Sequence, residues 1–110
     1  MAAAALPLFA LALPASAAKY TVVVSQMKFG ALPAHLRVGD VIVWDNRDYV
    51  PHSATARNGD FDVELPARAT QAQTLKTAGD FAFFCKYHTG MTGDMQVGKA
   101  AAKTAKAAGK

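Results

Sequence analysis

Between residues 19 and 98 no stretch of about ten residues carries a helical hydrophobic period, while short runs alternate apolar and polar side chains. Tyr20-Thr-Val-Val-Val-Ser25 is β-branched and aromatic, and Met27-Lys-Phe29 continues its alternation, which places Met27 toward a core. Gly30 and Pro33 interrupt. His35 to Val38 is a short alternating piece, Gly39-Asp40 is a turn, and Val41 to Trp44 is a strand ending at Asp45-Asn46-Arg47-Asp48. His52 to Ala56, Phe61 to Val63, Gln71 to Lys76, Asp80 to Cys85 and Met95 to Val97 complete the set, with turns at Asn58-Gly59-Asp60 and Ala78-Gly79. Seven to eight short strands at this spacing predict an all-β sandwich or barrel of antiparallel character.

The ends of the chain differ from this middle. The 110 residues carry a formal net charge of +4, from twelve Lys and Arg against eight Asp and Glu. Residues 1–18 contain no charged side chain, and 15 of them are apolar. A short apolar run from Leu6 to Leu13, a break at Pro14 and the small residues Ala15-Ser16-Ala17 read as a secretory signal cleaved near residue 17 or 18. Two prolines and the short length argue against a spanning helix, which needs about 20 apolar residues. Residues 99–110 hold Lys99, Lys103, Lys106 and Lys110 and no acid. On a helix these would share a face for an acidic partner, but like charges on so short a helix repel, and the segment reads as a solvated tail.

The whole net charge therefore lies in the tail, and residues 19–98 are formally neutral, with eight basic and eight acidic side chains. A globular basic face for nucleic acid is excluded, and so is a catalytic domain of ordinary size. The expected layout is a signal peptide over 1–18, one domain over 19–98 and a Lys/Ala-rich tail over 99–110. The expected protein is periplasmic, monomeric and not stably inserted in a membrane.

A single cysteine in an exported chain cannot form an internal disulfide, and a free thiol there is a liability. Cys85 follows the apolar run Phe81-Ala-Phe-Phe84, with His88 and Met91 at three-residue steps after it: Cys-x-x-His-x-x-Met. His52 opens another strand after Pro51. One thiolate, two imidazoles and a weak thioether suit copper in both oxidation states. Structural zinc prefers four strong ligands, and iron–sulfur clusters need more thiolates than one. Taken alone, Cys85 would be a small buried hydrophobe, and His88 and His52 surface or loop histidines; the shared spacing makes them ligands. Met91 is preferred to Met95, which reads as core, and His35 reads as a surface histidine. Four filled positions leave none open for a substrate, so the site passes electrons and the protein is not an enzyme. The alternative is a metallochaperone or copper-resistance protein, although such sites are commonly open and rich in Met or His. A multicopper enzyme fragment would need more histidines than the one left over, His35.

Asn46, His52, Cys85, His88 and Met91, with the surrounding stretches 43–53 and 77–91, resemble the cupredoxins, the type 1 blue copper proteins, and among them the amicyanins. The two-residue gap between His88 and Met91 favours that branch over those with longer loops. The resemblance implies a Greek-key β-sandwich binding one type 1 copper ion, with the His88 edge as an electron port in an apolar surface. It implies that Asn46 hydrogen-bonds near Cys85 and joins the two ligand-bearing segments. It also implies periplasmic redox partners: a dehydrogenase or other donor, and a c-type cytochrome or oxidase acceptor. Amicyanins carry proline just before the loop histidine, where this chain has Tyr87, and Gly90 precedes Met91. Proline stiffens backbone, so the loop here is expected to be softer.

Overall fold

In the computed structural model, which describes residues 17–100, the alternating runs become nine strands. They are β1 (Lys19–Ser25), β2 (Lys28–Phe29), β3 (Leu36–Arg37), β4 (Val41–Asn46), β5 (His52–Ala56), β6 (Asp62–Leu65), β7 (Thr70–Thr74), β8 (Gly79–Phe84) and β9 (Thr92–Gly98). One sheet has the order β2-β1-β4-β7 and the other β3-β9-β8-β5-β6. The β1/β4 and β3/β9 pairs run parallel and the other pairs antiparallel. The described residues contain no helix that could cross a membrane. The expectations for the signal segment and the lysine tail fall on residues 1–16 and 101–110, outside the described part.

Alternation decides which side chains meet between the sheets. β1 and β4 turn Val22, Val24, Ile42 and Trp44 inward. The second sheet answers with Ala54, Ala56 and Leu65, and with Phe81, Phe83, Met95 and Val97. Phe83 is the hub, with ring centroids 4.8 Å from Phe29 and 5.6 Å from Trp44, both edge-on. The buried Trp44 indole donates to Gln73 Oε1 at 2.9 Å. Asp40, in the turn after Gly39, accepts the amides of Ala18 and Arg37, each at 2.9 Å, and so pins the start of the fold.

The β1–β2 connection differs from the sequence expectation. Gln26 and Met27 both adopt left-handed backbone, with φ of 54° and 63°, and form a two-residue hairpin turn. The turn reverses the chain, so Met27 is 42% exposed rather than in the core. Each left-handed non-glycine residue costs roughly 1–2 kcal/mol. The Asp48 carboxylate offsets this by accepting the Gln26 and Met27 amides at 2.8 and 3.0 Å.

Gly93 pairs directly with Phe83 across β8 and β9, and a Cβ there would lie 2.4 Å from the Phe83 ring. Gly93→Ala is therefore expected to displace the hub ring and lower stability by about 1–3 kcal/mol, the usual cost of overpacking. Denaturant unfolding checks this; an unchanged midpoint would show that the ring has room to move.

Candidate metal centre

Three rows of inward-facing residues run to one end of the sandwich: 56, 54, 52 on β5; 81, 83, 85 along β8; and 97, 95, 93, 91 along β9. The last member of each row is a residue singled out by the sequence. His52 opens β5 and is 0% exposed, Cys85 lies one residue past β8, and Met91 lies one residue before β9. His88 sits on the loop between Cys85 and Met91 and is half-buried. The loop is closed by Cys85 N–H donating to the Met91 carbonyl at 3.0 Å and Met91 N–H donating to the His88 carbonyl at 3.3 Å.

His52 Nδ1 and His88 Nδ1 are 3.1 Å apart, and Cys85 Sγ lies 3.8 and 3.5 Å from them. A point equidistant from these three atoms lies about 2.0 Å from each, close to the bond lengths that metals make with imidazole nitrogen and thiolate sulfur. The triangle thus fits a metal ion, and its mixed soft and imidazole donors suit copper. Met91 is buried and lines one cleft together with Cys85 and His88. Met95 pairs opposite Phe81, four residues or about 13 Å further along the strand, and belongs to the core. His35 is exposed and apart from this group, as expected.

His52 Nε2–H donates to Asp48 Oδ2 at 2.8 Å. With that hydrogen on Nε2, the Nδ1 lone pair faces His88 and Cys85, which is how a carboxylate orients a ligand histidine. The amide of Met27, and then His52, hold the Asp48 carboxyl below the ordinary aspartate range.

Asn46 does not reach the Cys85 loop, contrary to the implied role. Its buried Nδ2 donates to the carbonyls of Val50, Leu65 and Pro66 at 3.0, 3.0 and 3.1 Å, and its Oδ1 accepts Asp48 N–H at 2.9 Å. It braces the segment leading to His52 against the end of β6. The link between the two ligand segments falls instead to Ser53, fully buried, whose Oγ accepts Lys86 N–H at 2.9 Å. The sequence signal for Ser53 was a polar residue directly after a ligand candidate in a buried strand. For Asp48 it was a carboxylate four residues before His52. The cleft beside His88 is mixed rather than apolar, lined by Arg57, Lys86 and Thr89 as well as Phe84 and Met91.

Against known proteins, no protein-family model and no curated protein sequence matches the chain. Solved structures do. Amicyanin from Paracoccus versutus superposes with a TM-score of 0.59 at 25% identity, covering 77% of this chain and 84% of its own. A Cu(I) amicyanin with Met replaced by Gln gives 0.60 at 25% identity, over 72% and 81%. This chain has an amicyanin-like cupredoxin fold. An oxidised amicyanin with Pro replaced by Ala gives 0.60 at 26% identity over the same shares. A cupredoxin fold with a His-Cys-His cluster at one end points to a blue copper protein.

Asp48 and Asp62 both have carboxyls held below the ordinary value of 3.8, Asp62 chiefly by Lys86. Their stabilising contribution is complete above that value and is lost as pH falls through the lowered folded-state values. The metal-free protein is expected to lose thermal stability below about pH 4, and Asp48→Asn to make that fall shallower. Thermal melts across the acid range check this; identical slopes in both proteins would contradict it.

Proposed function

We propose that this protein is an exported blue copper electron carrier that holds one copper ion through His52, Cys85, His88 and Met91. The observation that carries the proposal is the triangle of two Nδ1 atoms and one thiol sulfur around a point about 2.0 Å from each, built at the end of an amicyanin-like sandwich. Copper bound there would supply a Cu(II)/Cu(I) couple, accepting one electron from a donor and giving it to an acceptor.

The chain's own residues explain why such a site would shuttle electrons rather than transform a substrate. His52 and Cys85 are buried and fixed by the strands they end, and Asp48 holds the His52 ring. Met91, buried beside Cys85 and His88, would supply the fourth donor and leave no position open. His88 is the ligand that reaches toward solvent, and its edge is the port through which partners would exchange electrons. The partners would be a dehydrogenase or similar donor and a c-type cytochrome or oxidase acceptor. The apolar, charge-free segment 1–18 supports a periplasmic location.

Titration of the metal-free protein with Cu(II) tests this. One equivalent should produce an intense blue absorption that bleaches and returns on one-electron reduction and oxidation. Cys85→Ser should abolish the colour, and Met91→Leu should keep it while raising the reduction potential, because a weak axial donor is lost. A colourless, rapidly exchanging Cu(I) complex would instead support a copper chaperone. Loss of colour in Met95→Leu but not in Met91→Leu would overturn the choice of thioether.

A further inference from the structure

The loop between Cys85 and His88 lacks the stiffening proline expected there, yet it is tied to the sheet from the side. In the β5/β6 register Ser53 lies opposite Glu64, and Thr55 opposite Asp62. Alternation puts these four on the face away from the core, since Ala54, Ala56 and Leu65 occupy the inner face. Two polar residues and two carboxylates thus form a small patch beside the start of the loop. Lys86 and Tyr87, the two residues between Cys85 and His88, both bind to it.

The hydrogen bonds have one consistent direction. Lys86 N–H donates to Ser53 Oγ at 2.9 Å, and Ser53 Oγ lies 2.8 Å from Thr55 Oγ1. Thr55 donates its own hydroxyl hydrogen to Asp62 Oδ1 at 2.8 Å, so the Ser53 hydroxyl donates to Thr55. The Lys86 ammonium then bridges the second oxygen of Asp62, at 2.9 Å, and Glu64 Oε2. Tyr87 O–H donates to the other Glu64 oxygen at 2.6 Å. The series therefore runs from the loop backbone through two hydroxyls to a carboxylate, and returns to the same loop through the ammonium. Glu64 adds the second attachment.

Each ion pair is half exposed and by itself worth little. The shared geometry matters more. Asp62 and Glu64 are like charges on one face of β6, and one ammonium satisfies both. The loop is held at the backbone of residue 86 and at the tips of two successive side chains. A turn anchored at those three points has little freedom to carry His88 away from Cys85.

We propose that Asp62 and Glu64 are positioning residues for the metal centre: through Lys86 and Tyr87 they clamp the Cys85–His88 turn and keep the His88 ring in the ligand triangle. The clamp would do the work that proline does by restricting the backbone, in place of the softer loop that the lack of proline implies. Its consequence for metal binding rests on the copper reading above; its consequence for the loop itself does not.

Two variants test it. Glu64→Gln weakens both attachments made by Glu64. Tyr87→Phe removes one hydrogen bond without changing any charge, which separates a mechanical tie from an electrostatic effect. In the metal-free protein, amide hydrogen exchange at residues 86–90 should quicken in both variants, while exchange at Val22 and Phe83 stays as in the parent. In the copper-loaded protein, loss of the ion to a chelator should be faster than in the parent, by less than the roughly tenfold effect of removing a direct hydrogen-bond partner of a ligand. Unchanged exchange at 86–90 in both variants overturns the clamp. Faster exchange with unchanged copper loss overturns its positioning role. If the parent takes up no copper but the loop exchange still responds, the copper reading fails and the clamp stands.

Discussion

The period-two alternation of side chains along β5, β8 and β9 is the constraint on which the rest of the structure depends. Each strand sends every second residue into the core, and the same alternation continues one step past the strand ends. His52, Cys85 and Met91 are the terminal members of those rows, so the packing of Ala54, Phe83 and Met95 positions them. The metal centre is thus the last layer of the hydrophobic core rather than an addition to its surface. A slip of one residue in the β8/β9 register would turn Phe83 and the ligand row outward together. Stability and site geometry share one register.

The layer around the ligands is polar and equally ordered. Asp48 serves two parts of the fold, holding the left-handed Gln26-Met27 turn and orienting the His52 ring. Asn46 braces the segment before His52, and Ser53 joins the two ligand-bearing segments. These groups are buried or nearly so and fully partnered, since no buried side-chain polar atom among the described residues lacks a hydrogen bond. Such support would limit movement of the candidate ligands if a bound metal changed charge, which fits the proposed electron-transfer role.

The strands were legible because alternation is a local signal. The cluster of His52, Cys85 and His88 was legible because His88 follows Cys85 by three residues and His52 stands out after Pro51. What stayed hidden depends on long-range register. Gln26-Met27 is a turn without glycine or asparagine, and it is held by a carboxylate more than twenty residues away. Lys86 meets Asp62 and Glu64 only because β5 pairs with both β6 and β8. Asn46 is structural, but its partners include the end of β6, which nothing in its sequence neighbourhood shows arriving beside it. The parallel β1/β4 and β3/β9 pairs were invisible for the same reason.

The strands and loop that carry His52, Cys85 and His88 set the shape of the ligand triangle, so that shape should not depend on whether a metal is bound or on its oxidation state. Crystal structures of the metal-free, Cu(II) and Cu(I) forms test it most directly. The distances between His52 Nδ1, His88 Nδ1 and Cys85 Sγ should stay near 3.1, 3.5 and 3.8 Å in all three. A His88 ring swung out of the triangle in the metal-free form, or ligand atoms repacked on reduction, would contradict it.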